Sequence, residues 1–223
     1  MKEQITIKNM YTLEETMAKE LMEQYTYPWE VLPLIGDFIK KIGPTLSKEI
    51  YEEKGENIWI AKSAKIYPNN YIAGPCIIGE HTEVRPGAFI RGNALVGNDC
   101  VVGNSTELKN VILFNHVHVH QYNYVGDSVL GYFSHMGAGS ITSNVKADKT
   151  LVHVKGTDVD IDTGLKKFGA MLGDHVEIGC NSVLNPGSVI CSNSNVYPVS
   201  MVRGIVPPDS IYKDKLHIVK KEK

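Results

Sequence analysis

From Ile60 onward an aliphatic residue or Phe returns at every sixth position, through Ile66, Ile72, Ile78, Val84, Ile90, Val96, Val102 and Leu108 to Phe114. Four residues after most of these a small or aliphatic residue follows: Ala64, Cys76, Thr82, Ala88, Ala94, Cys100, Thr106 and Ile112. A helix repeats its apolar stripe at about 3.6 residues and a half-buried strand at about 2, so neither matches this period. Two inward positions per hexad describe a chain that makes one short strand and one turn every six residues, each coil burying its neighbour. The pattern slips between residues 119 and 130, resumes at Leu130 and Met136, and returns at Leu172, Ile178, Leu184, Ile190, Val196 and Val202. Met136 and Leu172 are 36 residues apart, a whole number of hexads. A segment at 142–171 can therefore leave the coil as an external arm and return in phase. Its alternating Leu151, His153, Val159 and Ile161 predict strands, and its lysines predict a task involving anions.

The expected fold is an all-β solenoid, a parallel β-helix of hexapeptide repeats over 56–207, with a helical segment at 1–55 and a basic tail at 208–223. In the first segment LEETMAKELMEQ has helical apolar spacing, and PWEVLPLIGDFIKKIG reads as a helix begun after Pro28 and stopped at Gly43. Solenoid ends need covering, so this segment is expected to cap the coil; docking of a partner is the alternative.

With 43% hydrophobic and 22% charged residues the 223-residue chain resembles an ordinary globular protein able to bury its own core. A formal charge of -2 gives no basic excess for a nucleic-acid backbone. No apolar run approaches the roughly 20 residues of a membrane span, and MKEQITIKNM lacks the apolar core of a signal peptide, so the expectation is a cytoplasmic protein with no membrane partner. The four cysteines form no CxxC pair and are expected to remain thiols.

Residues 115–127 read NHVHVHQYNYVGD. In an extended strand, residues two apart face the same way at about 6.5 to 7 Å, so His116, His118 and His120 on one strand cannot close on one zinc with nitrogens about 2.0 to 2.1 Å from the ion. Coils of eighteen residues would also miss register, since 36 residues beyond His81 stands Val117. No metal is expected here.

The stretches STELKN, NYVGDS and GAGSITSN resemble the acetyltransferase half of the bifunctional N-acetylglucosamine-1-phosphate uridyltransferase / glucosamine-1-phosphate acetyltransferase family, across about residues 28 to 213. The resemblance implies a left-handed β-helix that assembles as a homotrimer, acetyl-CoA as co-substrate, and an amino-sugar 1-phosphate bound between subunits. No Gly-rich phosphate-cradling loop of a nucleotidyltransferase half is read in the chain. Carried over by position, Lys109 binds the sugar phosphate, with Arg91 stacked beneath it and Arg85 of VRPGA as a further cation. Tyr124 lies at the acceptor and Asn144 near the sugar amine. Gly137, Ala138 and Gly139, with Cys180, meet the acetyl-CoA arm. Lys149, Lys166 and Lys167 sit on the external arm, which resembles a loop that reaches the site in archaeal relatives.

One departure stands out. The family's general base, a histidine, falls on Gln121, which cannot accept a proton; a positioned base is worth about 10² to 10⁴-fold in rate. His135 and His120 are the nearby substitutes. Two functions stay open: an N-acetyltransferase with a relocated base, or a trimeric sugar-phosphate-binding or scaffold protein without efficient catalysis.

Overall fold

The computed structural model describes residues 1–222. The chain winds as a left-handed parallel β-helix of about 9 turns. Its three faces are called A, B and C. Face A stacks Ile58–Ala61, Cys76–Ile78, Ala94–Val96, the second half of Glu107–Leu113, the second half of Tyr124–Leu130, Ala170–Leu172, Ser188–Ile190 and Ile205–Val206. Face B stacks Lys65–Ile66, Glu83–Val84, Val101–Asn104, His118–Gln121, His135–Met136, Glu177–Ile178, Asn195–Val196 and Ser210–Asp214. Face C stacks Tyr71–Ile72, Phe89–Ile90, the first halves of the two long strands, Ile141–Thr142, Val183–Leu184 and Met201–Val202. The inward residues Ile78, Val84, Ile90, Val96, Val102 and Leu108 are all fully buried.

Beyond the first coil, whose corners at 62–64 and at the cis Gly74–Pro75 bond differ, the corners turn on residues with positive φ. Between faces A and B these are His81, Asp99, His116, Phe133, His175, Asn193 and Asp209; between B and C they are Asn69, Gly87, Ser105, Tyr122, Gly139, Asn181 and Val199. Asn, Asp and His tolerate this left-handed region best, whereas Val199 at φ 58 is a β-branched residue held there by the coil around it.

The hexad register slips earlier than the sequence pattern suggests. Leu108 still stacks on Ile90, but Val96 stacks on Leu113, seventeen residues on, and not on Phe114. The corner between faces C and A uses two left-handed residues at Gly92 and Asn93, but only one at Asn110 and one at Asp127, so these coils are a residue shorter. Ile112 is consequently outward, beside Leu95, and Phe114 projects outward to meet Tyr11 with ring centroids 5.1 Å apart.

Face A also narrows the cap expected at 1–55: of that segment Tyr51–Gly55 covers an end, on the first rung of this face. The first fifty residues do not cover a solenoid end but run along this face as a chain of short turns. Asp174 N–H donates to Met10 O, Asn115 N–H to Glu15 O, and the Asn110 side-chain amide to Leu32 O. Further along, Gly36 abuts Asn93 and Gly43 abuts Trp59 so closely that a Cβ at either would collide. The outward residues Ile77, Leu95, Ile112, Val129, Met171 and Val189 are thereby fully buried. The expected break at Gly43 holds, with a 3-10 turn at Pro28–Leu34 running into a helix at Ile35–Ile42; LEETMAKELMEQ forms only two separate turns, Leu13–Glu15 and Lys19–Met22.

The arm leaves the corner between faces C and A after Thr142 and returns at Ala170, where Phe168 N–H donates to Asn144 O. It carries the antiparallel pair His153–Lys155 and Asp160–Asp162. It lies back along the later coils: Gly187 and Gly204 face the carbonyls of His153 and Lys155 at distances no side chain would allow. At both ends of the coil the chain reverses. Tyr51–Gly55 pairs antiparallel with Ile58–Ala61, and His217–Lys220, in the expected basic tail, pairs antiparallel with Ser210–Asp214.

Candidate functional site

The site residues expected from sequence fall into two groups on two faces. On face C, Arg91, Lys109, Gly126, Ser143, Asn185 and Arg203 form one column through successive rungs. Arg91 stacks beneath Lys109 as its spacing predicts. Rungs repeat at about 4.8 Å, so Lys109 and Arg203, four rungs apart, are separated by about 19 Å.

The centre of this group is a residue the motif reading quoted but did not single out. Asp127 occupies the single-residue corner at φ 47 and is 3% exposed. Its carboxylate accepts from Lys109 Nζ at 2.9 and 3.0 Å, from Asn110 Nδ2 at 3.0 Å and from Asn144 Nδ2 at 2.6 Å. A buried carboxylate is tolerable only when its lone pairs are filled in this way. The available signal was its place in the corner, one coil above Asn110, where a short side chain that favours positive φ can also receive hydrogen bonds. Tyr124 lies over Gly126; burial, then the carboxylates of Asp127 and Glu107, push its phenol above the ordinary value. Arg91 is held by Glu107, Nη1 to Oε1 at 2.8 Å. Two cations and two carboxylates therefore balance at this corner.

Arg85 does not join them. It lies on face B, its Nε 3.2 Å from Glu83 Oε2, because a one-hexad offset moves a residue to the adjacent face. Lys149 is on the exposed arm at φ 56. Beneath the arm is a cavity of about 620 Å³ lined by Ser143, Lys146, His153, Lys155, Asn185 and Arg203 among others. Of its cations, Lys146 lies 3.5 Å from Asp148 and Lys155 lies 3.7 Å from Asp160.

The second group is on face B. His118 is in register with His135, seventeen residues on, since the coil here is one residue shorter than the eighteen assumed from the hexads. The His118 and His120 rings are 5.0 Å apart, as are those of His120 and His135. His116 instead occupies a corner, stacked on Phe133 at 4.5 Å. The ladder thus divides between a corner and a face, and the ring spacing is shorter than extended-strand geometry alone predicts. Among the described residues no group of three or more His, Cys, Asp or Glu is arranged to hold a metal ion.

Burial, then the neighbouring His135, hold the His118 and His120 imidazoles below the ordinary value. His135 Nδ1 lies 2.7 Å from Glu177 Oε2, a partner the sequence reading missed because it is 42 residues away across the arm insertion. His135, Glu177, Gly137, Cys180, Tyr197 and Pro198 line a shallow groove of about 470 Å³. Ala138 and Cys180 are adjacent rungs at its edge, and Gly139 is the corner residue at φ 71 that donates N–H to Gln121 O. Burial pushes the thiols of Cys76, Cys100 and Cys191 up to about 12, whereas Cys180 is exposed. No described helix is long and apolar enough to cross a membrane.

This architecture has known counterparts. Residues 72–198 match the family model described as GMPPB C-terminal domain. The chain is 34% identical over 199 residues to the Bifunctional protein GlmU of Methanococcus vannielii, covering 87% of this chain and 47% of that protein. It thus spans about half the length of such bifunctional relatives. It is 31% identical over 197 residues to the uncharacterized acetyltransferase YaiX of Escherichia coli O6:K15:H31, covering 80% of this chain and 84% of that one. Among solved structures, AntD, an N-acyltransferase from Bacillus cereus in complex with dTDP and coenzyme A, aligns at TM-score 0.38 and 18% identity over 75% of this chain and 81% of that one. The matched coils include Arg91, Lys109, Asp127, Asn144 and the His135–Glu177 pair, and the chain belongs to the GMPPB C-terminal domain family of hexapeptide-repeat, GlmU-related proteins.

Proposed function

We propose that the protein is an acetyl-CoA-dependent N-acetyltransferase acting on an amino-sugar 1-phosphate, with His135 as its general base. The observation that carries this reading is the 2.7 Å contact between His135 Nδ1 and Glu177. When His135 Nδ1–H donates to that carboxylate, Nε2 is left as a proton acceptor beside an open groove, the base-and-orienter arrangement that acyl transfer needs. The acceptor amine attacks the thioester carbonyl, His135 Nε2 takes the proton it sheds, and the coenzyme's sulfur leaves as the amide forms. Gln121 then has no proton-transfer duty.

The acceptor's sugar phosphate would lie on face C at Arg91 and Lys109, with Tyr124 and Asn144 around the sugar. The groove from Gly137 to Cys180 would take the pantetheine arm, and Arg203 with Lys146 and Lys155 the coenzyme's phosphates. Since these groups lie on different faces of one chain, the complete site forms where face C of one subunit meets face B of another, as in a homotrimer. Face A is sealed by its own N-terminal segment, whereas Tyr71, Phe89 and Met201 are exposed on face C.

A second reading, a sugar-phosphate-binding or scaffold protein, is favoured by the full pairing of Arg91 and Lys109, which leaves little free charge for a phosphate dianion. Coenzyme A release from acetyl-CoA with glucosamine 1-phosphate decides between them. Turnover in the wild type that is lost in His135→Ala supports the transferase. Binding of the sugar phosphate without turnover in any variant, Gln121→His included, supports the scaffold.

A further inference from the structure

The site described above is not built by the coil alone. The Asn110 amide bridges two systems: it donates to Leu32 O at 3.1 Å, in the N-terminal segment, and to Asp127 Oδ1 at 3.0 Å, in the cluster that holds Lys109 and Asn144. Four residues before Leu32 in sequence, the turn Pro28–Leu34 begins with Pro28 and Trp29 buried. Trp29 is stacked on Tyr27 at 4.6 Å and packs on Phe168 with centroids 5.7 Å apart. Phe168 is the residue on which the arm returns, its N–H bonded to Asn144 O at 3.0 Å. One short stretch of the N-terminal segment therefore touches the acceptor cluster from one side through Asn110 and from the other through Phe168 and Asn144. The far end of the arm meets the same segment again, Gly156 lying against Met1 and the terminal ammonium 3.8 Å from Asp158.

We propose that residues 27–34 form a brace that positions the acceptor site, with Trp29 of the brace and Asn110 of the coil it engages as the two positioning residues. The consequence for acceptor binding rests on the function proposed above; the mechanical coupling does not. Asp127 needs a fixed direction to hold Lys109 Nζ and Asn144 Nδ2 at once, and among the described residues the further donor that the rung below gives it is the Asn110 amide. That amide is itself oriented by a carbonyl outside the coil. Buried polar networks of this kind act as a unit, so loosening one member displaces the rest. Asn144 is held similarly, its side chain by Asp127 and its backbone by the residue that Trp29 covers.

The test uses the full chain. At φ 54 Asn110 can become Gly without backbone strain, so Asn110→Gly removes the amide and spares the corner. With glucosamine 1-phosphate and acetyl-CoA, Asn110→Gly is expected to raise KM for the sugar phosphate about 10-fold with kcat within about 2-fold. Its circular dichroism should match the wild type, showing that the fold is kept, while its melting temperature falls by a few degrees for the lost donor to Asp127. An unchanged KM would overturn the proposal. Should the wild type neither bind nor turn over glucosamine 1-phosphate, the functional reading fails by itself, and hydrogen exchange at the Phe168 amide still decides the brace. There Trp29→Leu and Asn110→Gly are each expected to speed exchange about 10-fold by lowering the local opening energy. Exchange at the wild-type rate in both variants would overturn it.

Discussion

Lys109 and Asp127 lie one coil apart yet share a bidentate contact, the ammonium 2.9 and 3.0 Å from the two oxygens of a carboxylate that is almost completely buried. The pairing is possible because the coil between them is short: with a single corner residue, Asp127 turns back over the rung that carries Lys109.

Asp127 is therefore expected to matter more for stability than Lys109. Asp127→Ala leaves Lys109 and Asn144 without this acceptor and Asn110 with Leu32 O alone, and places Ala at positive φ, for a cost of about 3 to 5 kcal/mol. Lys109→Met leaves the carboxylate with two amide donors and should cost about 1 to 2 kcal/mol. Urea denaturation of both variants checks the order; equal losses would contradict it.

Acetyl transfer should depend on His135 and, less steeply, on Glu177. His135→Ala is expected to lower kcat by about 10² to 10⁴-fold. Glu177→Gln keeps a partner for Nδ1 but removes the charge that stabilises the protonated ring, so a loss of about 10-fold is expected. Initial rates with acetyl-CoA and glucosamine 1-phosphate measure both.

Acidification should destabilise face B. The His118 and His120 imidazoles are held below their ordinary value by burial and by His135, so between that depressed value and about 6.5 the unfolded chain takes up protons that the folded chain refuses. Their stabilising contribution is complete above about pH 6.5 and falls as pH drops through the folded values. Melting temperatures between pH 7.5 and 5 should decline less steeply in the double variant His118→Gln, His120→Gln than in the wild type; parallel curves would show that neither ring carries this linkage.

The outward positions of face A should behave as a core. Leu95→Ala is expected to cost about 2 to 5 kcal/mol, as for a buried leucine, because the N-terminal segment covers it. Met201→Ala, outward on face C and 63% exposed, should change stability of the isolated chain by less than about 0.5 kcal/mol. Chemical denaturation of the two variants compares the faces directly.

These positions also show where the sequence was legible. The inward hexad is visible because every coil imposes the same demand on it, so repetition reveals the fold and the arm's in-phase return. The doublets Ile77–Ile78, Leu95–Val96, Ile112–Leu113, Val129–Leu130 and Met171–Leu172 carry a second message: one face is apolar outside as well as inside. That pattern announced a covering segment along the side, but a period-six reading collects only the inward member and assigns the N-terminal residues to an end. Strict counting by six likewise hid the five-residue step from Leu108 to Leu113, and with it the stacking of His118 on His135. Lys109 and Arg91 could be paired from spacing alone, whereas Glu177 could not be matched to His135, since the arm separates them in the chain and only the coil's resumption brings them together.

The reversed strands at the two ends have a further meaning for a molecule made this way. Rungs of parallel strands about 4.8 Å apart repeat the geometry of an amyloid protofilament, and an open last rung would be a template for the next chain. Here the first rung of face A is covered by Tyr51–Gly55, which carries Glu52, Glu53 and Lys54, and the last rung of face B by His217–Lys220. A second molecule cannot continue the parallel register across a strand that runs the other way, and the charged side chains discourage it from starting a new one. Folding the chain back over the first rung of face A and the last rung of face B thus blocks, at those two edges, the unlimited growth to which stacked parallel rungs are suited.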